Sequence, residues 1–106
     1  MKNRNNSMQA LMKQANQMQI KMRKTQDELA AKEYTASAGG DGIKATANGQ
    51  NRLTKIEINP EVITAGDSEM LQDLVVSAVN EALAMAKREY DQEIAKVTGG
   101  LNLGSF

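Results

Sequence analysis

The 106-residue chain contains no cysteine, no histidine and no tryptophan, and proline occurs only once. Without cysteine or histidine the chain lacks disulfides, thiol nucleophiles, the usual zinc ligands and the side chain that most readily acts as a base near neutral pH. The remaining residues show no nucleophile–base pair at an interpretable spacing. We therefore expect a protein that is not an enzyme and that uses no metal or other cofactor.

Long apolar runs are also missing. No apolar stretch follows the basic residues at the N-terminus, as it would in a signal peptide, and none approaches the roughly 20 apolar residues of a membrane span. The length of the chain favours one domain. We expect a cytoplasmic protein with no membrane partner and no small-molecule substrate.

Acidic residues are absent from the first part of the chain, although its formal net charge is zero. Residues 1–24 hold six cations and no acid, whereas residues 57–106 hold nine acids and three cations. A basic start and an acidic end indicate either an anionic partner or self-association between unlike ends of the molecule.

A long first helix is predicted over residues 8–32, with Ser7 as its N-cap and residues 1–7 as a disordered N-terminus. The segment contains neither glycine nor proline. Its apolar positions recur at alternating steps of three and four, which is the pattern of a heptad seam. The seam consists of Met8, Leu11, Ala15, Met18, Met22, Thr25 and Leu29.

A second long helix is predicted over residues 67–98, with Asp67 as its N-cap, and residues 99–106 form a tail. Its apolar residues fall into two adjoining stripes, one of which includes Val79 and Leu83. Together the stripes are wider than the apolar face of a simple amphipathic helix. We expect this helix to contact two different surfaces.

Between the helices, residues 33–58 alternate between apolar and polar side chains in short runs, which predicts three strands. The second and third strands are joined across Asn48-Gly49. Leu53 interrupts the alternation, so that the third strand either begins with a bulge or places Leu53 on the other face of the sheet. The predicted fold class is α+β: a long helix, a three-stranded antiparallel sheet and a second long helix.

The predicted helices are longer than the sheet on which they pack. At 1.5 Å per residue each spans about 37 Å or more, whereas a strand of six residues spans about 20 Å. An apolar seam that extends past the sheet requires a cover, and three strands alone are marginally stable. We therefore predict a two-fold homodimer with projecting helical arms; docking of a helix from another protein is the alternative. The interface is assigned to Met8, Leu11, Ala15, Met18, Met22, Val79 and Leu83.

The cations of residues 1–24 have two interpretations, a solvated helix face or a surface that contacts phosphates. Helical geometry places Lys13, Arg23 and Lys24 opposite the seam and Lys21 beside it. Ile20 also points outward among these cations, without a structural reason. The predicted open sheet face carries no aromatic residue on which bases could stack, and no helix-turn-helix or zinc finger is present. Salt-sensitive contact with the backbone of duplex DNA is the remaining mode.

Four segments in succession carry a family resemblance: "LMKQANQMQIKM", "GIKATANGQNRLTKIEINPEVI", "EMLQDLVVSAVNEALAMA" and "TGGLNL". Over about Leu11 to Leu103 the chain resembles the YbaB/EbfC family of bacterial nucleoid-associated DNA-binding proteins. The resemblance implies a tweezers-like homodimer with protruding helical arms, a nucleoid location, and an influence on nucleoid organisation and gene expression. The chain departs from the family at its ends, since "MKNRNNS" lacks the Gly-rich opening and "GGLNLGSF" lacks the usual proline.

The role of the arms in DNA binding is carried over from this resemblance. The candidate DNA-binding residues are Arg4, Lys13, Lys21, Arg23 and Lys24 on the first helix and Lys87 and Arg88 on the second. The alternative function is a dimeric protein-interaction adaptor that uses the apolar and acidic helix surfaces.

Overall fold

The computed structural model describes residues 2–99, with side chains from Ser7 onward. The elements are α1 (Lys2–Ala31), β1 (Glu33–Ala38), β2 (Ile43–Asn48), β3 (Leu53–Ile58), α2 (Pro60–Thr64) and α3 (Ser68–Gly99). The predicted α+β class and the order of helix, antiparallel sheet and helix are confirmed. None of the helices within the described range is both long and apolar enough to cross a membrane.

One boundary and one element differ from the prediction. Helix α1 begins at Lys2 and not at Met8, because residues 2–7 contain no glycine or proline to interrupt it. Ser7 therefore lies inside the helix and is not an N-cap. The short helix α2 was not predicted, and the tail beyond Gly99 lies outside the described residues.

The three strands pair in sequence order, β1-β2-β3, and both pairs are antiparallel. Ala45 of β2 lies between Ala36 of β1 and Ile56 of β3. The register shifts at Thr46/Ala47, and Leu53 pairs with Ala47. The bulge alternative for Leu53 is thereby confirmed, and the shift returns this side chain to the face that Ile56 occupies.

The core is formed where α3 crosses β1 and β2. Ala45 and Ala47 of the sheet and Ala78 and Ala82 of α3 are fully buried and belong to one cluster. Small side chains on both surfaces allow the helix backbone to approach the sheet closely. The small residues of the sheet therefore match a helix of the same chain.

Strand β3 is only marginally covered by α3, and none of its residues is buried, although Ile58 packs against the core. Leu53 and Ile56 keep 39% and 37% of their surface exposed on the face that α3 covers elsewhere. Met70 and Val76 on α3 are likewise exposed. We call Leu53 and Ile56 the apolar edge, since they share one face of β3 at the edge of the sheet.

Helix α1 packs against α3 through its C-terminal part only. Leu29 and Val97 are both buried, and they line the same groove between the two helices. Lys21 lines that groove near the end of α3, so the residues before it extend past α3. We call residues 7–24 the arm. The molecule is accordingly elongated, with dimensions of 79 × 25 × 15 Å.

Candidate nucleic-acid interface

The arm presents unpaired positive charge. Lys13, Lys21, Arg23 and Lys24 are all exposed, and within residues 7–99 none of them lies within ion-pair distance of a carboxylate. Asp27 is the first acid that the chain contains. These four cations are therefore available to an external anion without first breaking an internal ion pair.

The cations of α3 are in a different situation, since each has an acidic partner on the same helix. Lys87 pairs with Asp91 at 3.3 Å, Arg88 with Glu81 at 3.8 Å and Lys96 with Glu93 at 3.0 Å. Exposed pairs of this kind contribute little to stability. They do cancel the local positive charge, so Lys87 and Arg88 are weaker candidates for phosphate contact than the cations of the arm.

The four predicted cations of the arm do not form one cluster. Lys13, Arg23 and Lys24 point away from α3, on the side opposite the seam, as the helical geometry predicted. Lys21 instead lines the groove between α1 and α3, together with Glu93 on the opposite wall. The other predicted cation of α1, Arg4, belongs to the helix, but its side chain lies outside the described residues.

The open face of the sheet is polar and of mixed charge. Lys55 pairs with Glu57 at 2.9 Å, and their hydrogen bond raises the pKa of Lys55 and lowers the pKa of Glu57. The hydroxyls of Thr35 and Thr46 lie 2.9 Å apart across two strands. Tyr34, the only aromatic residue of the three strands, lies on the opposite, buried face. This face therefore provides neither a basic surface nor a stacking platform.

Uncharged side chains on the outward side of the arm were not assigned a role from the sequence. Asn16, Gln19, Ile20 and Arg23 line one shallow depression on the helix surface. The outward position of Ile20 is confirmed, since 68% of its surface is exposed. The i, i+4 spacing of Asn16 and Ile20 was the available signal, because it places the two side chains on one face.

The predicted interface residues are divided between two environments. Met8 and Leu11 are 63% and 65% exposed, since α3 ends before it reaches them. Met18 and Met22 are half-buried, and Ala15 is exposed. Val79 and Leu83 pack at the margin of the core inside the chain and remain partly accessible.

Carboxylates do not assemble into a metal site. Within the described residues no group of three or more histidine, cysteine, aspartate or glutamate side chains is positioned to hold a metal ion.

The surface that is available to a ligand belongs to a small α+β body and to a long helix that projects from it. Unpaired positive charge lies on the outer side of that helix.

The chain belongs to the YbaB/EbfC DNA-binding family, whose model matches residues 4–101. A nucleoid-associated protein of Thermoanaerobacter pseudethanolicus is 50% identical over 93 residues, which cover 88% of this chain and 84% of that protein. A nucleoid-associated protein of Clostridium acetobutylicum is 47% identical over 97 residues, with coverage of 92% and 87%.

A solved structure shares the fold. The crystal structure of an uncharacterized protein from Helicobacter pylori aligns with a TM-score of 0.65, covering 77% of this chain and 86% of that one. The two sequences are 18% identical, so this similarity concerns the fold alone.

Proposed function

We propose that the protein is a dimeric nucleoid-associated protein of the bacterial cytoplasm. It binds duplex DNA mainly through phosphate contacts made by its arms, and in this way influences nucleoid organisation and gene expression. The observation that carries the proposal is the set of exposed, unpaired cations Lys13, Arg23 and Lys24 on a helix that extends past the body of the protein. Family membership and the names of the relatives support DNA as the anion.

Dimerisation is supported by apolar surface that one chain leaves uncovered. Met8 and Leu11 extend the seam beyond α3, and the apolar edge continues the buried face of the sheet past the core. A second copy covers both regions, and the first copy covers the same two regions of the second, as a two-fold interface requires. Two arms then present two sets of cations to one duplex.

The test is duplex affinity as a function of salt. For a phosphate binder, log K falls linearly with log salt concentration, with a slope near −0.9 for each phosphate neutralised. The triple variant Lys13→Gln, Arg23→Gln, Lys24→Gln is expected to bind more weakly. Its slope should also be shallower, and the slope should change by nearly one for each phosphate that the variant no longer neutralises.

The matched control is Lys87→Gln, Arg88→Gln, Lys96→Gln, which removes three cations that are already paired on α3. We expect a much smaller change from it.

Two results contradict the proposal. One is an affinity that barely changes between about 50 and 200 mM salt, because phosphate contact is then not the mechanism. The other is an equal decrease of affinity in the two triple variants, because the arm then has no special role. Sedimentation of each variant verifies that the oligomeric state is unchanged.

The apolar edge also favours a second candidate, an adaptor that recruits another protein. Its two residues lie on the strand next to α3, a helix that carries more acids than cations. A protein partner that is retained on the immobilised protein after nuclease treatment supports the adaptor, whereas a partner released together with the DNA supports the first proposal.

A further inference from the structure

Ile20 is the most exposed large apolar side chain in the described part of the molecule, at 68%. It packs on no other element among the described residues, since α3 lies on the opposite side of α1 and ends near Lys21. Helix propensity does not explain it either, because a β-branched side chain loses rotamer freedom on a helix surface. Neither folding nor helix stability accounts for isoleucine at this position.

The neighbours of Ile20 carry amide and guanidinium groups, which proteins use to contact the edges of bases. Asn16 precedes it by four residues and Arg23 follows it by three, so the three side chains are adjacent on one face, as the depression that they share shows. Lys13 and Lys24 flank this face. The outward side of the arm therefore places an amide, an apolar group and a guanidinium along its middle, with cations beside them.

The shape of the arm matches one groove of DNA. A helix with its side chains is about 10–12 Å across, and the major groove is about 12 Å wide, whereas the minor groove at about 6 Å is too narrow. From Ser7 to Ile20 the helix is about 20 Å long, and its outward side meets no other described element. Nothing in the described structure hinders its approach to the groove.

In the major groove each of these side chains has a chemical counterpart. Asparagine pairs with the adenine edge, arginine with the guanine edge, and an apolar side chain contacts the 5-methyl group of thymine. We propose that the outward face of the arm enters the major groove and that Ile20 contacts thymine methyl groups there, with Asn16 and Arg23 facing neighbouring base edges. This inference rests on the proposed function and adds to it a preference that phosphate contacts alone do not produce.

The experiment compares two duplexes of the same mixed sequence at one salt concentration. In one duplex every thymine is replaced by uracil, which lacks only the 5-methyl group in the major groove. The wild-type protein is expected to bind the uracil duplex about fourfold more weakly for each arm that contacts a thymine methyl group, the change that corresponds to the burial of one methyl group. Ile20→Ala is expected to bind both duplexes equally, with an affinity near that of the wild type for the uracil duplex.

The matched control is Ile63→Ala, which truncates an exposed isoleucine on α2 and should leave the discrimination unchanged. Equal binding of both duplexes by the wild type overturns the inference, and so does full discrimination by Ile20→Ala. If the phosphate proposal is correct and only this inference is wrong, the protein still binds the duplex strongly and in a salt-dependent way in either of these two cases. Absence of duplex binding, or binding without salt dependence, instead overturns the proposed function together with this inference.

Discussion

At the scale of single residues, Tyr34 has an unusual environment. Its ring belongs to the core under α3, and its hydroxyl is buried without a hydrogen-bond partner among the described residues. Burial raises the pKa of the Tyr34 hydroxyl, and the nearby carboxylates of Glu89 and Glu93 raise it further. The folded protein therefore favours the neutral phenol, although the hydroxyl has no hydrogen-bond partner among the described residues.

We predict that Tyr34→Phe leaves the free energy of unfolding unchanged or raises it by about 1 kcal/mol, because it removes a buried polar group that has no partner. Urea denaturation measures the change. Tyr34→Ala is the control for packing and should cost about 3 kcal/mol or more. A decrease above about 1 kcal/mol in the Phe variant would contradict the assignment, since it would reveal a hydrogen bond to the hydroxyl.

The same substitution affects the dependence of stability on pH. The pKa of Tyr34 lies above its ordinary value of 10.0 in the folded protein, so the unfolded chain loses this proton first as the pH rises. The wild type should therefore lose stability above about pH 10, in addition to the effect of other groups, and the Phe variant should lack that part of the loss.

The dipeptide Asn48-Gly49 shows what a residue pattern can and cannot predict. The position of the hairpin was predicted, since alternation on both sides defines the strands. The left-handed residue of the connection is Asn51, with φ 62°, and not Gly49. The Asn48 side chain accepts hydrogen bonds from the backbone N–H groups of Gln50 and Arg52 at 2.9 and 3.2 Å. The requirement for glycine at position 49 comes from another element, and no local pattern indicates it.

At the scale of elements, Gly49 fixes the hairpin against the end of α1. Its backbone N–H donates to the carbonyl oxygen of Lys32 at 3.1 Å. A Cβ atom at this position would overlap the carbonyl group of Leu29 in the last turn of α1. The base of the arm is thus held by close backbone contact with the β2–β3 turn and by the packing of Leu29 on α3.

We predict that Gly49→Ala destabilises the protein by about 1–3 kcal/mol, because the backbones of the turn and of α1 must separate. Denaturation followed by circular dichroism measures the change in stability. Gly99→Ala is the matched control, since an added Cβ at Gly99 meets no atom of the described residues within 4 Å and its φ is not positive. Equal stability of Gly49→Ala and the wild type would show that the turn is not held against α1.

Helix α2 was missed because five residues are too few to display a helical period. Asn59-Pro60 was interpreted only as the end of a strand. In the structure the Asn59 side chain accepts a hydrogen bond from the Glu61 N–H at 2.9 Å, and Pro60 occupies the first turn. An N-cap followed by proline is a helix-start signal, so the information was present in these two residues.

At the scale of the whole molecule, the long helices and the short strands were predictable because periodicity and length are local properties. The partner of the seam was not predictable, since a heptad pattern has the same form whether the facing surface belongs to the same chain or to another. The structure divides the seam: Leu29 is buried within the chain, whereas Met8 and Leu11 extend past the end of α3. The candidate cations were predictable as a cluster in sequence, but their unpaired state and the separate direction of Lys21 required coordinates.

The free half of the seam leads to a test of dimerisation. If Met8 and Leu11 are covered by a second copy, then Met8→Gln with Leu11→Gln removes four buried apolar side chains per dimer. Because each such side chain contributes roughly 1.5–3 kcal/mol when it is fully buried, the four together correspond to about 6 kcal/mol or more, and the dimer dissociation constant should rise at least about ten-thousandfold. Ile20→Gln is the matched control, since it makes the same change on the opposite face of the arm and should leave association unchanged. Analytical ultracentrifugation over a concentration series measures the dissociation constants of the double variant and of the control. Glutamine is used because it preserves helix propensity.

A wild-type protein that sediments as a folded single chain at micromolar concentration would contradict the dimer. An unchanged dissociation constant in the double variant would show that the dimer interface does not include this part of the arm.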